Sequence, residues 1–123
     1  MIKLFGHLLA PDDGLGMPPG RYPLAGREYI SDGTCGRLPD GTLCGSLLPM
    51  NRAIGNLVRL AGVDPSSAVR FATANAAHVI GLEDTLGHVE QGRAADLVLV
   101  DEAWEVQSTI DAGEIAYQAG VPA

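Results

Sequence analysis

Aromatic side chains are scarce in this chain: Phe, Tyr and Trp together make up 5% of 123 residues, with a single Trp. A core built from it must rest on Ala, Val, Ile and Leu, within a hydrophobic share of 46% that is ordinary for a globular domain. Basic residues are also few, 8 against 15 acidic, for a formal charge of −7. A surface of that sign repels a phosphate backbone, which argues against nucleic acid as a partner. It leaves room for one local positive pocket that takes a single phosphate. Cysteine occurs only at Cys35 and Cys44, with no CxxC motif and no disulfide framework, so two free thiols are expected. No HxH pair and no HExxH helix is present. His7, His78 and His88 are too scattered to read as a metal site. The opening run Met1–Ala10 is short and broken by Gly6 and His7. It makes neither a membrane span nor a good signal peptide, so a soluble, cytoplasmic chain with no membrane partner is expected. Internal repeats and low-complexity tracts are absent as well.

What is there begins with a Pro- and Gly-dense stretch over 11–26, which blocks helix and central strand alike and predicts a loop with short extended pieces. Asp32-Gly33 between two strand-like runs predicts a hairpin, and Pro39-Asp40-Gly41 predicts a second turn followed by a tight loop over 41–46. Met50, Ala53, Ile54, Leu57, Val58 and Ala61 recur at helical spacing, closed by Gly62. Arg52 and Arg59 fall on the opposite, polar face and are expected in solvent. Asp64-Pro65 opens a second helix with an N-cap and a proline at the tolerant first position. A short third helix is expected from residue 75 or 76 to 80. The four-residue apolar run Leu97–Val100, bounded by acids, predicts a buried strand. Residues 104–110 alternate, which places Trp104 in the core, and 111–114 reads as a hairpin turn. The helices have no clear strands before them to pack on, which predicts a piece of a larger fold.

Several of these segments resemble the N-acetylglucosamine-6-phosphate deacetylases of the amidohydrolase superfamily. The residues that carry the resemblance are Gly16-Met17-Pro18-Pro19-Gly20-Arg21-Tyr22 with Leu24-Ala25-Gly26, then Gly41-Thr42-Leu43-Cys44-Gly45-Ser46, then Ala72–Leu82. The pattern Leu86-Gly87-His88-Val89-Glu90-Gln91-Gly92-Arg93-Ala94-Ala95-Asp96-Leu97-Val98 is shared by amidohydrolases generally. The resemblance implies an α/β fold: the C-terminal fragment of a (β/α)8 metal-dependent hydrolase barrel plus part of its small β-sandwich. Residues 1–82 would supply the last barrel loop or strand and the closing helices, and 83–123 the C-terminal strands of the sandwich.

The resemblance also implies a chemistry. Amide hydrolysis needs an activated water, an acid for the leaving amine and stabilisation of the oxyanion. The family uses a divalent metal, zinc or similar, whose ligands lie on strands that this chain does not contain. It uses an Asp at the end of the last barrel strand as base and then acid. Counting back from Gly16 places Ala10 where that Asp belongs. Asp13 is the candidate replacement and Asp12 the second choice; both also suit a turn beside Pro11 and Gly14. Leu43, Cys44 and Gly45 match the segment whose backbone touches the sugar phosphate in the family, where glycine lets a ligand approach the main chain. The bland alternative is a Gly-stabilised turn before a helix, with Cys44 as a small packing residue.

The expected activity is therefore hydrolysis of the N-acetyl amide of N-acetylglucosamine 6-phosphate, incomplete in this chain alone. The partners implied are a small amino-sugar phosphate and either a second copy or the missing barrel portion. Two alternatives stand beside it. One is another amidohydrolase, dihydroorotase-like or hydantoinase-like. The other is a non-catalytic fragment that oligomerises through uncovered apolar surface.

Overall fold

A computed structural model describes residues 2–5, 8–11, 17–24 and 26–121. Among the described residues there are three small antiparallel sheets and three helices. Strands β1 (Ile2–Phe5) and β2 (Leu8–Pro11) form a two-stranded ribbon, with Leu4 opposite Leu9. Strand β2 runs alongside all three helices, so the helices do have a strand before them in sequence. The second sheet has the order β3 (Gly20–Leu24), β4 (Arg27–Ser31), β5 (Cys35–Arg37) and β6 (Leu43–Ser46). The third has the order β7 (Leu97–Val100), β8 (Val106–Asp111) and β9 (Glu114–Gln118).

The second sheet sharpens one expectation and corrects another. Part of the Pro-rich stretch is strand β3, because Pro23 sits on the sheet's edge, where its missing N–H costs no ladder bond. Residues 43–46 are strand β6 and not a tight loop. The turn is completed earlier, where Gly41 (φ +87°) donates to the Leu38 carbonyl at 2.9 Å and Leu38 to the Thr42 carbonyl at 2.9 Å. The expected hairpin at Asp32-Gly33 is present between β4 and β5.

Helix α1 (Met50–Ala61) ends at Gly62 in the left-handed region (φ 65°), where the Val63 N–H returns to the Leu57 carbonyl at 3.1 Å. Helix α2 (Pro65–Ala72) is capped by Asp64, whose carboxylate accepts from the Ser66 hydroxyl at 2.6 Å and the Ser67 N–H at 3.1 Å. Helix α3 (Ala74–Val79) follows after Thr73. Ala53, Leu57 and Ala68 form the buried centre, with Leu48, Ile54, Val58, Val63, Phe71 and Ala72 packed around it.

That core is thin. Among the described residues, 7 hydrophobic side chains are buried, four of them alanine, while 14 large ones are exposed. Strand β7 departs most from expectation: Val98 and Leu99 are 59% and 50% exposed. An apolar run between acids reports a strand made for burial, whether or not a covering layer is present. No described helix is long and apolar enough to cross a membrane.

Candidate functional site

Leu43, Cys44 and Gly45, the candidate ligand segment, lie together on β6, which pairs with β5. Gly45 stands opposite Gly36 in the ladder. Gly36 has no space for a side chain, since a Cβ there would fall 1.9 Å from the Tyr29 ring. Tyr29 is itself buried, so the ring cannot swing away freely. Between Gly36 and Arg37 the register shifts, leaving Cys44 without a direct partner on β5. Such a bulge re-aims the strand locally. Leu43 is exposed, and Cys44 and Gly45 are half-buried. Among the described residues no strand pairs with the outer edge of β6, so its backbone groups on that side face away from the sheet. Leu47, buried, and Pro49 then carry the chain directly into α1. Asp12 and Asp13 lie outside the described residues, as does His7.

The hairpin that holds β5 in place is fixed by one carboxylate. Asp32 accepts the Cys35 N–H at 2.7 Å, the Thr34 hydroxyl at 2.7 Å and the Thr34 N–H at 2.8 Å, with the Cys35 thiol at 3.3 Å. These donors hold its carboxyl well below the usual carboxylate range, the Cys35 N–H contributing most. Cys35 and Cys44 are both free thiols, as expected. Among the described residues no group of three or more His, Cys, Asp or Glu side chains is placed to hold a metal ion.

Three features lie where the helices meet the third sheet; the sequence marked the turn in the second but not the contacts in any of them. Asn51 Nδ2 donates to the Trp104 carbonyl at 2.7 Å, Arg59 Nη1 donates to the Ala103 carbonyl at 3.0 Å, and Arg52 pairs with Glu105. Arg52 and Arg59 are exposed, as expected, and this polar face of α1 also clamps the 101–105 turn. Asp101 shapes that turn by accepting the Ala103 and Glu105 N–H groups at 2.9 Å each. Trp104 stands there with φ 64°, rare for a bulky residue, and its ring lies against Gly55. A glycine inside a helix was the available signal for a close neighbour.

The second feature explains the amidohydrolase turn pattern. At Gly87 (φ +87°) a Cβ would come within 2.7 Å of the Ala74 backbone, so only glycine lets the turn lie on α3. Arg93 ties the same turn together, donating from Nη1 to the Glu83 carbonyl at 2.6 Å and from Nε to Glu90 at 2.8 Å. His78 on α3 meets Glu83 at 3.0 Å, and the Glu83 carboxyl is held below its ordinary value by its own backbone N–H and then by His78. Asp96, which opens β7, accepts the Ala112 N–H at 2.9 Å at the tip of the β8–β9 hairpin. The third feature is a groove of about 870 Å³ between the helices and the third sheet, lined by Ile54, Ala76, Leu86, Val98, Trp104 and Val106 among others.

These turns lie within a span shared with known proteins. The amidohydrolase family profile matches residues 30–118, and the chain belongs to that family. Within it, the chain is similar to the deacetylases of amino-sugar phosphates. It is 37% identical over 101 residues to a putative N-acetylgalactosamine-6-phosphate deacetylase of Escherichia coli K12, a match covering 82% of this chain and 60% of that protein. It is 35% identical over 106 residues to the N-acetylglucosamine-6-phosphate deacetylase of Rattus norvegicus, covering 85% of this chain and 26% of that one. The crystal structure of N-acetylglucosamine-6-phosphate deacetylase from Thermotoga maritima superposes with a TM-score of 0.70 at 31% identity, over 86% of this chain and 29% of that one. The chain thus spans less than two thirds of the length of the relatives it matches.

Proposed function

We propose that this chain is part of a metal-dependent deacetylase of N-acetylated hexosamine 6-phosphates. The observation that carries the reading is identity of 37% over 101 residues and 35% over 106 residues to enzymes of that name, across most of this chain. The sugar is left at the level of the hexosamine, since relatives named for the galacto and gluco substrates stand at 37% and 35% identity. In this reading residues 1–82 belong to the end of a (β/α)8 barrel and its closing helices, and 83–123 to the small β-sandwich. The β6 backbone at Leu43, Cys44 and Gly45 contacts the sugar phosphate, supported by the unpaired outer edge of that strand. Asp13 serves as the proton-transfer group. The divalent metal and its ligands come from polypeptide beyond the described residues.

The test compares the chain alone with the chain mixed with a polypeptide carrying the first strands of a deacetylase barrel. The chain alone releases no acetate from either hexosamine phosphate, with or without zinc. The mixture restores release, and Asp13→Asn removes it again. Turnover by the chain alone, or restored hydrolysis of a cyclic amide in place of the acetylated sugars, overturns the reading.

A further inference from the structure

We infer that Trp104 is a positioning residue for the candidate ligand strand β6, acting on it through helix α1. The connection between strand and helix is short and stiff. Only Leu47, Leu48 and Pro49 stand between them. Leu47 is buried, and its N–H donates to the Thr34 carbonyl at 3.1 Å. The Leu48 N–H donates to the Ser46 hydroxyl oxygen at 3.2 Å. Pro49 is fixed at φ −65° by its ring and restricts Leu48 before it. Its carbonyl accepts the Ala53 N–H at 2.9 Å, which starts the helix. With no flexible loop between them, a shift of α1 is passed directly to Gly45 and Ser46.

The 101–105 turn sets where α1 lies. Asn51, Gly55 and Arg59 recur one helical turn apart and so share one face of α1. All three meet the turn. Asn51 Nδ2 holds the Trp104 carbonyl at 2.7 Å and Arg59 Nη1 holds the Ala103 carbonyl at 3.0 Å. The Trp104 ring stands over Gly55, where a Cβ would lie 3.0 Å from its Cγ and Cδ1. Trp104 itself has φ 64°, a left-handed conformation that a bulky residue keeps only where its surroundings hold it. The holders are Asp101, which accepts the Ala103 and Glu105 N–H groups, and Asn51 on the helix. The ring is half-buried and lies outside the cluster of Ala53, Leu57 and Ala68 that seats the opposite side of α1. Backbone outliers of this kind gather where placement serves a ligand. The end of α1 that carries Asn51 is the end joined to β6.

The inference rests on the reading of β6 as the ligand strand, but its test uses neither sugar nor metal, so the two fail separately. Cys44 on β6 and Cys35 on β5 are both free and half-buried. The Cys35 thiol is held to Asp32 within its own hairpin at 3.3 Å, so it reports opening of the whole sheet, while Cys44 at the bulge reports β6. The full chain is labelled with a thiol reagent under native conditions, and the rate at each cysteine is read by mass spectrometry after digestion. Trp104→Gly suits the φ of the turn and removes the ring. It raises the Cys44 rate about tenfold, with Cys35 changed by less than about twofold, as expected of a local opening. Gly55→Ala presses a methyl against the ring while favouring the helix itself, and moves Cys44 in the same direction. Trp104→Phe keeps a ring over Gly55 and restores the native ratio of the two rates. Leu57→Ala lowers stability from the buried side of α1 without touching the turn, and speeds both thiols in step. An unchanged Cys44 to Cys35 ratio in Trp104→Gly or in Gly55→Ala overturns the inference. So does a ratio raised equally by Leu57→Ala, or a Trp104→Phe variant that labels as fast as Trp104→Gly.

Discussion

At position 36 the sheet has no room for even one methyl group. The Tyr29 ring fills the place a Cβ would take, and Tyr29 is buried at 6% exposure. Gly36→Ala therefore displaces the ring and opens β5 from β6; we expect a loss of several degrees in Tm, and Ser in the same place to behave no better. A Tm unchanged by Gly36→Ala would mean that the ring has another resting place. Asp32 governs acid stability in the same hairpin. Its folded-state carboxyl titrates below its ordinary value, so the stability it contributes is complete above the unfolded range near pH ~4 and is lost as pH falls through the lowered value. Asp40, Asp64 and Glu83 are depressed in the same direction, Asp40 chiefly by the Thr42 N–H and Asp64 chiefly by the Ser66 hydroxyl. Urea unfolding followed from neutral pH downward should show midpoints falling below pH ~4, and a shallower fall in Asp32→Asn. An identical acid limb in the variant would remove Asp32 from the account.

Helix α1 has two occupied faces, and only one was legible beforehand. The 3.6-residue recurrence of Ala53, Leu57 and their neighbours names the buried side, because periodicity follows from the geometry of a helix alone. The polar side carries no such signal, since arginine reads the same in water or bonded to a carbonyl across the molecule. Strand β6 was missed because four residues with a glycine give too short a pattern to separate strand from turn. Strand β3 was legible only as a short extended piece, because proline bars a central strand while an edge position tolerates it. The residues of the candidate ligand segment were legible only through resemblance, as nothing in their spacing marks a site. At this scale Leu57→Ala should cost about 2–5 kcal/mol in denaturant unfolding, since it opens a cavity at the centre of the core. Arg52→Ala should cost less than about 1 kcal/mol, because its ion pair with Glu105 is half exposed on both sides.

Across the whole molecule the imbalance between covered and uncovered apolar surface sets behaviour in solution. Large exposed side chains outnumber buried hydrophobic ones 14 to 7 among the described residues. A dye that brightens on apolar surface should therefore bind the native chain strongly. Sedimentation should show a monomer at low salt that associates as the charge is screened. A dark dye and a salt-indifferent monomer would mean that the sheet faces are better protected than their exposure indicates.

The three sheets share no strand among the described residues. Among the described residues, backbone hydrogen bonding therefore divides the molecule into separate patches, with side-chain bonds such as that of Asn51 running between them. Amide protons in such a molecule need not exchange together. Each ladder can open on its own schedule, and the 101–105 turn, clamped to α1, decides whether the last hairpin opens alone or carries the helix with it.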